Sequence, residues 1–337
     1  MAAFVRIFKN KWITPPKPVD EDYSGRIIIV TGATSGIGKE AVFKFASLGA
    51  SKVIIAARDL KKGETTRAAL EARLGTQNQL EVWELNMMSY DSVVAFAKRA
   101  EGLEHLDIAI LNAGIRRVPF VLSEHGWEED LQTNTLSTVL LAVLLLPKLK
   151  ESKQFTAKIP VLELVNSGLH QSAVVPPEIR NSPILSDFYN QREKFKEGNQ
   201  YKFSKVFLMY ATNKLASEIS SEDVIITSIC PGMVRTDLGR DRYFPGVFVL
   251  AAVFLFLFVR SPSQGANTIL SATMQGESVH GRFWQHDKIQ PVPLAVAGSE
   301  MKELALKIWG EVVDALERDV PGFTDSLSRA LNKDHGQ

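Results

Sequence analysis

The chain has 337 residues, 45% hydrophobic and 23% charged; that is enough apolar material for a full core and excludes a disordered chain. At about 150 residues per domain, two domains are allowed, and so is one large α/β domain with extensions. Thirty-nine Lys and Arg against 38 Asp and Glu leave a charge of +1, and the single cysteine, Cys230, lies in no Cys/His cluster. Nucleic-acid binding, a disulfide scaffold and a metal fold are therefore not expected.

In chain order, Met1–Trp12 alternates Phe4, Val5, Ile7 and Phe8 with Arg6, Lys9 and Lys11. With no uninterrupted apolar stretch or cleavage site it does not read as a secretory signal. It reads as a short amphipathic piece packed on the protein surface, with weak membrane contact as the alternative. The prolines of Pro15–Pro18 end it. Arg26–Val30 and Val53–Ala57 are β-branched apolar runs around a helical period at Gly38–Leu48, which makes a βαβ unit. The alternation continues with strands at Leu80–Leu85, Leu106–Leu111, Ile159–Val165 and Val224–Ile229, and helices at Tyr90–Ala100, Gly126–Lys150 and Gln200–Ile219. This predicts an α/β, doubly wound parallel sheet (Rossmann fold) covered on both faces. A helical substrate lid and a C-terminal helix complete a single domain. The organisation expected is an extension over 1–24, a catalytic domain over 25–290 with a substrate loop at 235–263, and a helical extension over 291–337.

Two stretches break the rhythm, the polar Gln171–Gly198 and Arg235–Ser263. Both follow the carboxyl ends of strands, where ligands bind in such folds. Gly246–Val259 is fourteen residues without a polar side chain, fewer than the roughly 20 needed to span a bilayer. A buried or pocket-covering segment is the first reading and insertion into one face of a membrane the second. From Ser299 onward, Leu304, Ile308, Trp309, Val312, Val313 and Leu316 recur at helical spacing, as in an amphipathic helix packed on the domain.

Immediately after the first strand, Thr31, Gly32, Ala33, Thr34, Ser35, Gly36, Ile37 and Gly38 form a TGxxxGxG loop that opens a helix. Gly32 permits the tight turn, Gly36 the approach of a pyrophosphate, and Gly38 close helix–sheet packing. The helix N-terminus supplies unpaired N–H groups for phosphate. In a βαβ context this loop points to a dinucleotide. At the end of the second strand, where a carboxylate selects NAD, the chain has Ala57 and Arg58, with Asp59 expected to point away. A guanidinium there suits a 2′-phosphate and favours NADP(H); a solvated arginine is the alternative. Tyr201 and Lys205 are four apart at a helix start, hence on one face, and Ser167 ends a strand.

With these pieces the chain resembles the classical short-chain dehydrogenases/reductases over roughly Gly25 to Trp284. The matching motifs are the glycine loop, Leu111-Asn112-Ala113-Gly114, Asn134, Ser167, Tyr201xxxLys205, and Pro231-Gly232 followed by Thr236. The phrases AARDLKKGE, NTLSTVLLAVLLLPKL and RSPSQGANT are most like retinol-dehydrogenase-type and fungal secondary-metabolism members. The resemblance implies that Tyr201 is the general acid and that Lys205 lowers its pKa and holds the ribose hydroxyls. Ser167 binds the substrate oxygen, and Asn134 holds a water linking Lys205 to solvent. Asn112, Ala113 and Gly114 line the adenine ribose and brace the central strands, while Pro231, Gly232, Val234 and Thr236 lie on the cofactor side, with Thr236 at the nicotinamide. Asn86 stands where the family has an aspartate for the adenine amino group, and its amide oxygen is expected to accept that bond. His170 is expected as a loop residue, with substrate contact the less favoured reading. The 34 positions from Ser167 to Tyr201 leave room for a wall at the entrance.

Tyr243, Phe244, Phe248, Phe254, Phe256 and Phe258 in the substrate loop suit a bulky apolar molecule. The expected function is NADPH-dependent reduction of a ketone or aldehyde, tilted toward a fungal polyketide-type intermediate. Oxidation of a steroid- or retinoid-like secondary alcohol, a cyclisation that follows reduction, and a non-catalytic cofactor-binding module stay open. So does a dimer through the helices of Asn134 and Tyr201. A cytoplasmic location, peripheral to the endoplasmic reticulum if 246–259 contacts membrane, is the corresponding expectation.

Overall fold

The structure is a computed structural model that describes residues 2–77, 79–173, 175–196, 198–236, 238, 255–291 and 298–331. Eight strands form one sheet in the order β3-β2-β1-β4-β5-β6-β7-β8. They are β1 (Ile27–Thr31), β2 (Lys52–Ala57), β3 (Leu80–Glu84), β4 (Ile108–Leu111), β5 (Val161–Val165), β6 (Ile225–Cys230), β7 (Phe283–Gln285) and β8 (Lys288–Ile289). All neighbours pair parallel except β7 with β8. That last hairpin turns at His286 and Asp287, both at positive φ, which suits the twist of a tight hairpin.

β1 is buried at all five positions, as a central strand with helices on both faces must be. Ile27 and Ile29 face one core and Ile28 and Val30 the other. The second core packs α2 (Gly36–Ser47), which follows β1. The first core packs α4 (Tyr90–Glu101), α5 (Glu129–Ser152) and α6 (Asn199–Glu218). Strand order reverses between β1 and β4, and the crevice at their carboxyl ends is where a Rossmann sheet binds its ligand. The doubly wound expectation therefore holds.

Several elements differ from their sequence expectations. The long helix starts at Glu129, not Gly126: Gly126 has φ +74°, Leu122 and Glu128 form a β-bridge, and the Glu128 carboxylate caps the N–H groups of Asp130 and Leu131. Its Gln132–Leu136 section is π-helical. Helix α3 (Leu60–Leu74) buries only Gly63, Thr66 and Leu70, so its apolar stripe is too thin to register as a period. α7 (Pro262–Thr273), which begins at the very end of the expected substrate loop, is announced by a Ser261/Gln264 capping box with Pro262 at the first turn. The three-residue β7 is too short for any periodic signal.

After the hairpin, α8 (Ser299–Asp319) buries Leu304, Ile308, Trp309, Val312 and Leu316, and α9 (Phe323–Ala330) follows. The N-terminal α1 (Ala2–Trp12) is helical.

Candidate active site

The glycine loop has the backbone its sequence requires. Gly32 sits at φ +63° and Gly36 at φ +54°. A Cβ on Gly38 would lie 2.5 Å from the Gly32 carbonyl oxygen, and one on Gly32 would lie 2.9 Å from Ala113 Cα. Thr31 Oγ1 accepts the Ala113 N–H (2.8 Å), and Asn112 Nδ2 donates to the carbonyls of Thr31 (2.9 Å) and Gly32 (3.3 Å). Asn112 and Ala113 thus brace β1 against β4. Ser35 precedes α2 without a side-chain cap, so the first-turn N–H groups at Gly36, Ile37 and Gly38 face an open cradle fit for phosphate. Thr34 accepts a bond from Thr66 Oγ1 at its carbonyl (3.3 Å).

At the carboxyl end of β2, Arg58 is exposed. Asp59 turns away and caps α3, accepting the Lys62 N–H at 3.0 Å. Asn86 Oδ1 accepts the Met88 N–H (3.1 Å) in a local turn, which fixes the side chain and leaves its second lone pair for another donor. On the far side, Thr236 Cγ2 approaches within 3.3 Å of the place a Gly36 Cβ would occupy, and Val234 pairs with Arg260 in a parallel bridge. Gly232 turns at φ +85°, and the Pro231 carbonyl accepts from Arg260 Nη1 at 3.0 Å. Buried Cys230 accepts, at its sulfur, the N–H groups of Gly168 (3.1 Å) and Gly232 (3.4 Å). It joins the ends of β5 and β6, a role its sequence position did not announce.

Tyr201 and Lys205 lie one turn apart on α6, 5% and 4% exposed. Ser167, just beyond β5, lies near enough to the Tyr201 hydroxyl to favour its ionised form, and its own Oγ accepts the Leu169 N–H at 3.3 Å. Burial pushes the phenol up to about 12, opposed by Ser167 and by the Arg116 guanidinium, which lies 5.5 Å from the ring centre. Burial also pulls the Lys205 ammonium down to about 8, with Asp130 opposing; its Nζ donates to the Val165 carbonyl at 2.9 Å, beside Gly114.

Asn134 reaches the same cluster, and its side chain is bonded at both ends. Its Nδ2 donates to the Ile115 carbonyl (2.8 Å) and to Ser204 Oγ (3.1 Å), and its Oδ1 accepts the Ile115 N–H (2.9 Å). Both amide hydrogens are committed, so the side chain clamps the Gly114–Ile115 loop to α6. Four positions earlier Asp130 accepts the Arg117 N–H (2.9 Å) and continues that clamp. Asp130 and Arg116 escaped the sequence reading because neither belongs to a motif; the signal was their spacing from Asn134 and Gly114.

His170 is fully buried, bonded through Nδ1 to the Ser167 carbonyl (2.6 Å) and edge-on to Phe283, which makes it structural. The insert folds inward, burying Ile184, Leu185 and Tyr189. Tyr243, Phe244, Phe248 and Phe254, hence most of the expected lid, lie outside the described residues. Among the described residues no group of three metal-ligating side chains occurs.

A reversed sheet with a glycine cradle on one side of the crevice and a Ser–Tyr–Lys cluster on the other defines a nicotinamide-dinucleotide oxidoreductase. The family description "short chain dehydrogenase" matches residues 26–159. The short-chain dehydrogenase/reductase phmF of Phaeosphaeria nodorum is 34% identical over 92% of this chain and 92% of its own. The short-chain dehydrogenase/reductase ffsI of Aspergillus flavipes is 32% identical over 94% and 93%. A short-chain dehydrogenase from Sphingobium yanoikuyae in complex with NADPH shares the fold, with a TM-score of 0.57 at 18% identity over 89% of this chain and 95% of that one. This chain belongs to the short-chain dehydrogenase/reductase family, and it is an oxidoreductase of CH–OH/C=O groups with a nicotinamide-dinucleotide site.

Proposed function

We propose that the chain reduces a ketone or aldehyde on a bulky hydrophobic molecule with NADPH, a polyketide-type natural product being the substrate class we favour. The observation that carries this reading is the buried Tyr201 hydroxyl. Burial raises it to about 12, so it holds its proton at neutral pH in the form a carbonyl reduction needs, while Ser167 and Arg116 pull the pKa back toward release of that proton. When bound, the reduced nicotinamide supplies the hydride to the carbonyl carbon. Tyr201 gives its proton to the carbonyl oxygen, completing the alcohol. Ser167 holds the same oxygen and stabilises its developing charge. Lys205 stabilises the phenolate left behind and faces the ribose hydroxyls, while Asn134 and Asp130 keep the 114–117 loop in register with α6. Gly36, Ile37 and Gly38 would hold the pyrophosphate, and Val234 and Thr236 would contact the nicotinamide end of the cofactor.

Exposed Arg58, with Asp59 spent on a helix cap, supports NADP over NAD. Fluorescence titration with NADPH and NADH tests this: wild type is expected to prefer NADPH, and Arg58→Ala to lose that preference by about tenfold to a hundredfold, the worth of one charge-assisted contact. Equal binding of both cofactors by wild type removes Arg58 as selector. Tyr201→Phe is expected to keep NADPH binding and to lose turnover by about a hundredfold or more; retained turnover defeats the acid assignment.

A further inference from the structure

We propose that α1 and Leu255–Phe258 together form a docking surface for the face of an anionic lipid bilayer. The two segments lie some 245 positions apart yet lock side by side. Trp12 Nε1 donates to the Leu257 carbonyl at 2.9 Å, and the Lys11 ammonium donates to the carbonyls of Leu255 and Phe256. Arg260 Nη2 donates to the Asn10 carbonyl at 2.7 Å. The rings of Trp12 and Phe256 are 5.3 Å apart and those of Phe8 and Phe258 6.3 Å, so the apolar groups are contiguous.

The polarity of this surface is inverted. Lys11 is 8% exposed, whereas Ile13 is 66%, Phe256 64%, Val5 62% and Trp12 45% exposed. The polar heads face inward onto backbone carbonyls and the apolar bodies face out. A contiguous patch of this kind marks an interaction site, whereas scattered single residues do not. Aromatic rings over a basic flank match the boundary between acyl chains and headgroups.

Charge selects the occupant. Met1–Val19 carries Arg6, Lys9, Lys11 and Lys17 ahead of the acidic Asp20–Asp22, and Lys11 is committed to the carbonyls beneath it. Lys9 and Lys17 are exposed and free to meet anionic headgroups. Among the described residues the one helix long and apolar enough to span, Glu129–Ser152, is 89% buried within the fold and is core. Arg260 bonds both α1 and the Pro231 carbonyl, so the surface is joined directly to the loop behind the nicotinamide side of the site.

Flotation of the full-length protein with vesicles of phosphatidylcholine alone, or with 30% phosphatidylserine, tests the assignment without any need for turnover, so failure of the reductase reading would leave it intact. Wild type should float with the mixed vesicles and be released by high salt. Lys9→Glu should lower partitioning onto mixed vesicles by about fivefold or more. Phe256→Asp, at a site too exposed to unsettle the fold, should lower it by about tenfold on either vesicle; equal thermal midpoints would certify the folding of each variant. Wild type that stays with the protein-only control, or Phe256→Asp that floats like wild type, overturns the proposal. So does a wild-type dimer that Phe256→Asp splits without any flotation, which would assign the surface to a second copy of the chain.

Discussion

Tyr201 sits among charges of both signs, and burial outweighs them all. The Arg116 guanidinium favours its ionised form and the Asp130 carboxyl disfavours it. Burial raises Asp130 above the usual carboxylate range, against the pull of Arg117, Lys205 and Arg116, and burial together with Asp130 raises its neighbour Glu128. Reduction requires the protonated phenol, so its rate falls once Tyr201 titrates. Arg116→Met removes a cation and is expected to move that alkaline limb up, while Asp130→Asn removes an anion and moves it down. The pH dependence of kcat in the reductive direction checks this, and displacement of both limbs the same way defeats it. Opposite displacements would also separate charge from packing, since either substitution disturbs the same loop.

At the scale of the element, β5 carries a buried acid that no catalytic step uses. Glu163 pairs in register with Ile110 and Thr227, and both its carboxyl oxygens are buried without a hydrogen-bond partner. Burial raises its pKa well above the usual 4.5. In the unfolded chain the group ionises near 4.5, while the fold retains the proton. Its contribution to stability is therefore complete below about 4.5 and is lost as pH rises toward the folded value. Glu163→Gln, which does not titrate, should match wild type near pH 4 and melt progressively higher than wild type toward pH 8. Thermal melts across that range decide the matter; a pH-independent difference means that shape, not ionisation, is at stake. The π-helical section of α5 raises a related point: it places Asn134 and Asp130 on one side, both gripping the 114–117 loop, and such sections recur at functional sites.

For the molecule as a whole, α8 anchors the insert that leads to Tyr201. Glu311 on α8 accepts the N–H groups of Ile184 (2.7 Å) and Leu185 (2.8 Å), and Lys307 donates to the carbonyls of Arg180 and Ser182 at 2.5 Å each. The polar insert between Ser167 and Tyr201 is thereby held by a helix more than a hundred residues later. Glu311→Ala should lower stability by about 1–3 kcal/mol through two orphaned N–H groups. It should also raise KM for the carbonyl substrate while leaving NADPH affinity unchanged. Steady-state kinetics beside a cofactor titration check this, and unchanged KM would confine α8 to a stabilising role.

The strands and the glycine loop were legible in the residues alone because both follow short-range rules: β-branched runs bury on two faces, and Gly32 and Gly38 stand where a Cβ has no space. The Tyr201–Lys205 pair was legible for the same reason, since four residues make one helical turn. The pairing of α1 with Leu255–Phe258, the seat of Arg116 beside Tyr201, the clamp role of Asn134 and the grip of Glu311 on the insert were decided only by tertiary structure. Each joins segments distant in sequence through one or two hydrogen bonds or a ring contact, and such contacts carry no period or spacing along the chain. They are chosen by where the packed sheet brings those segments together.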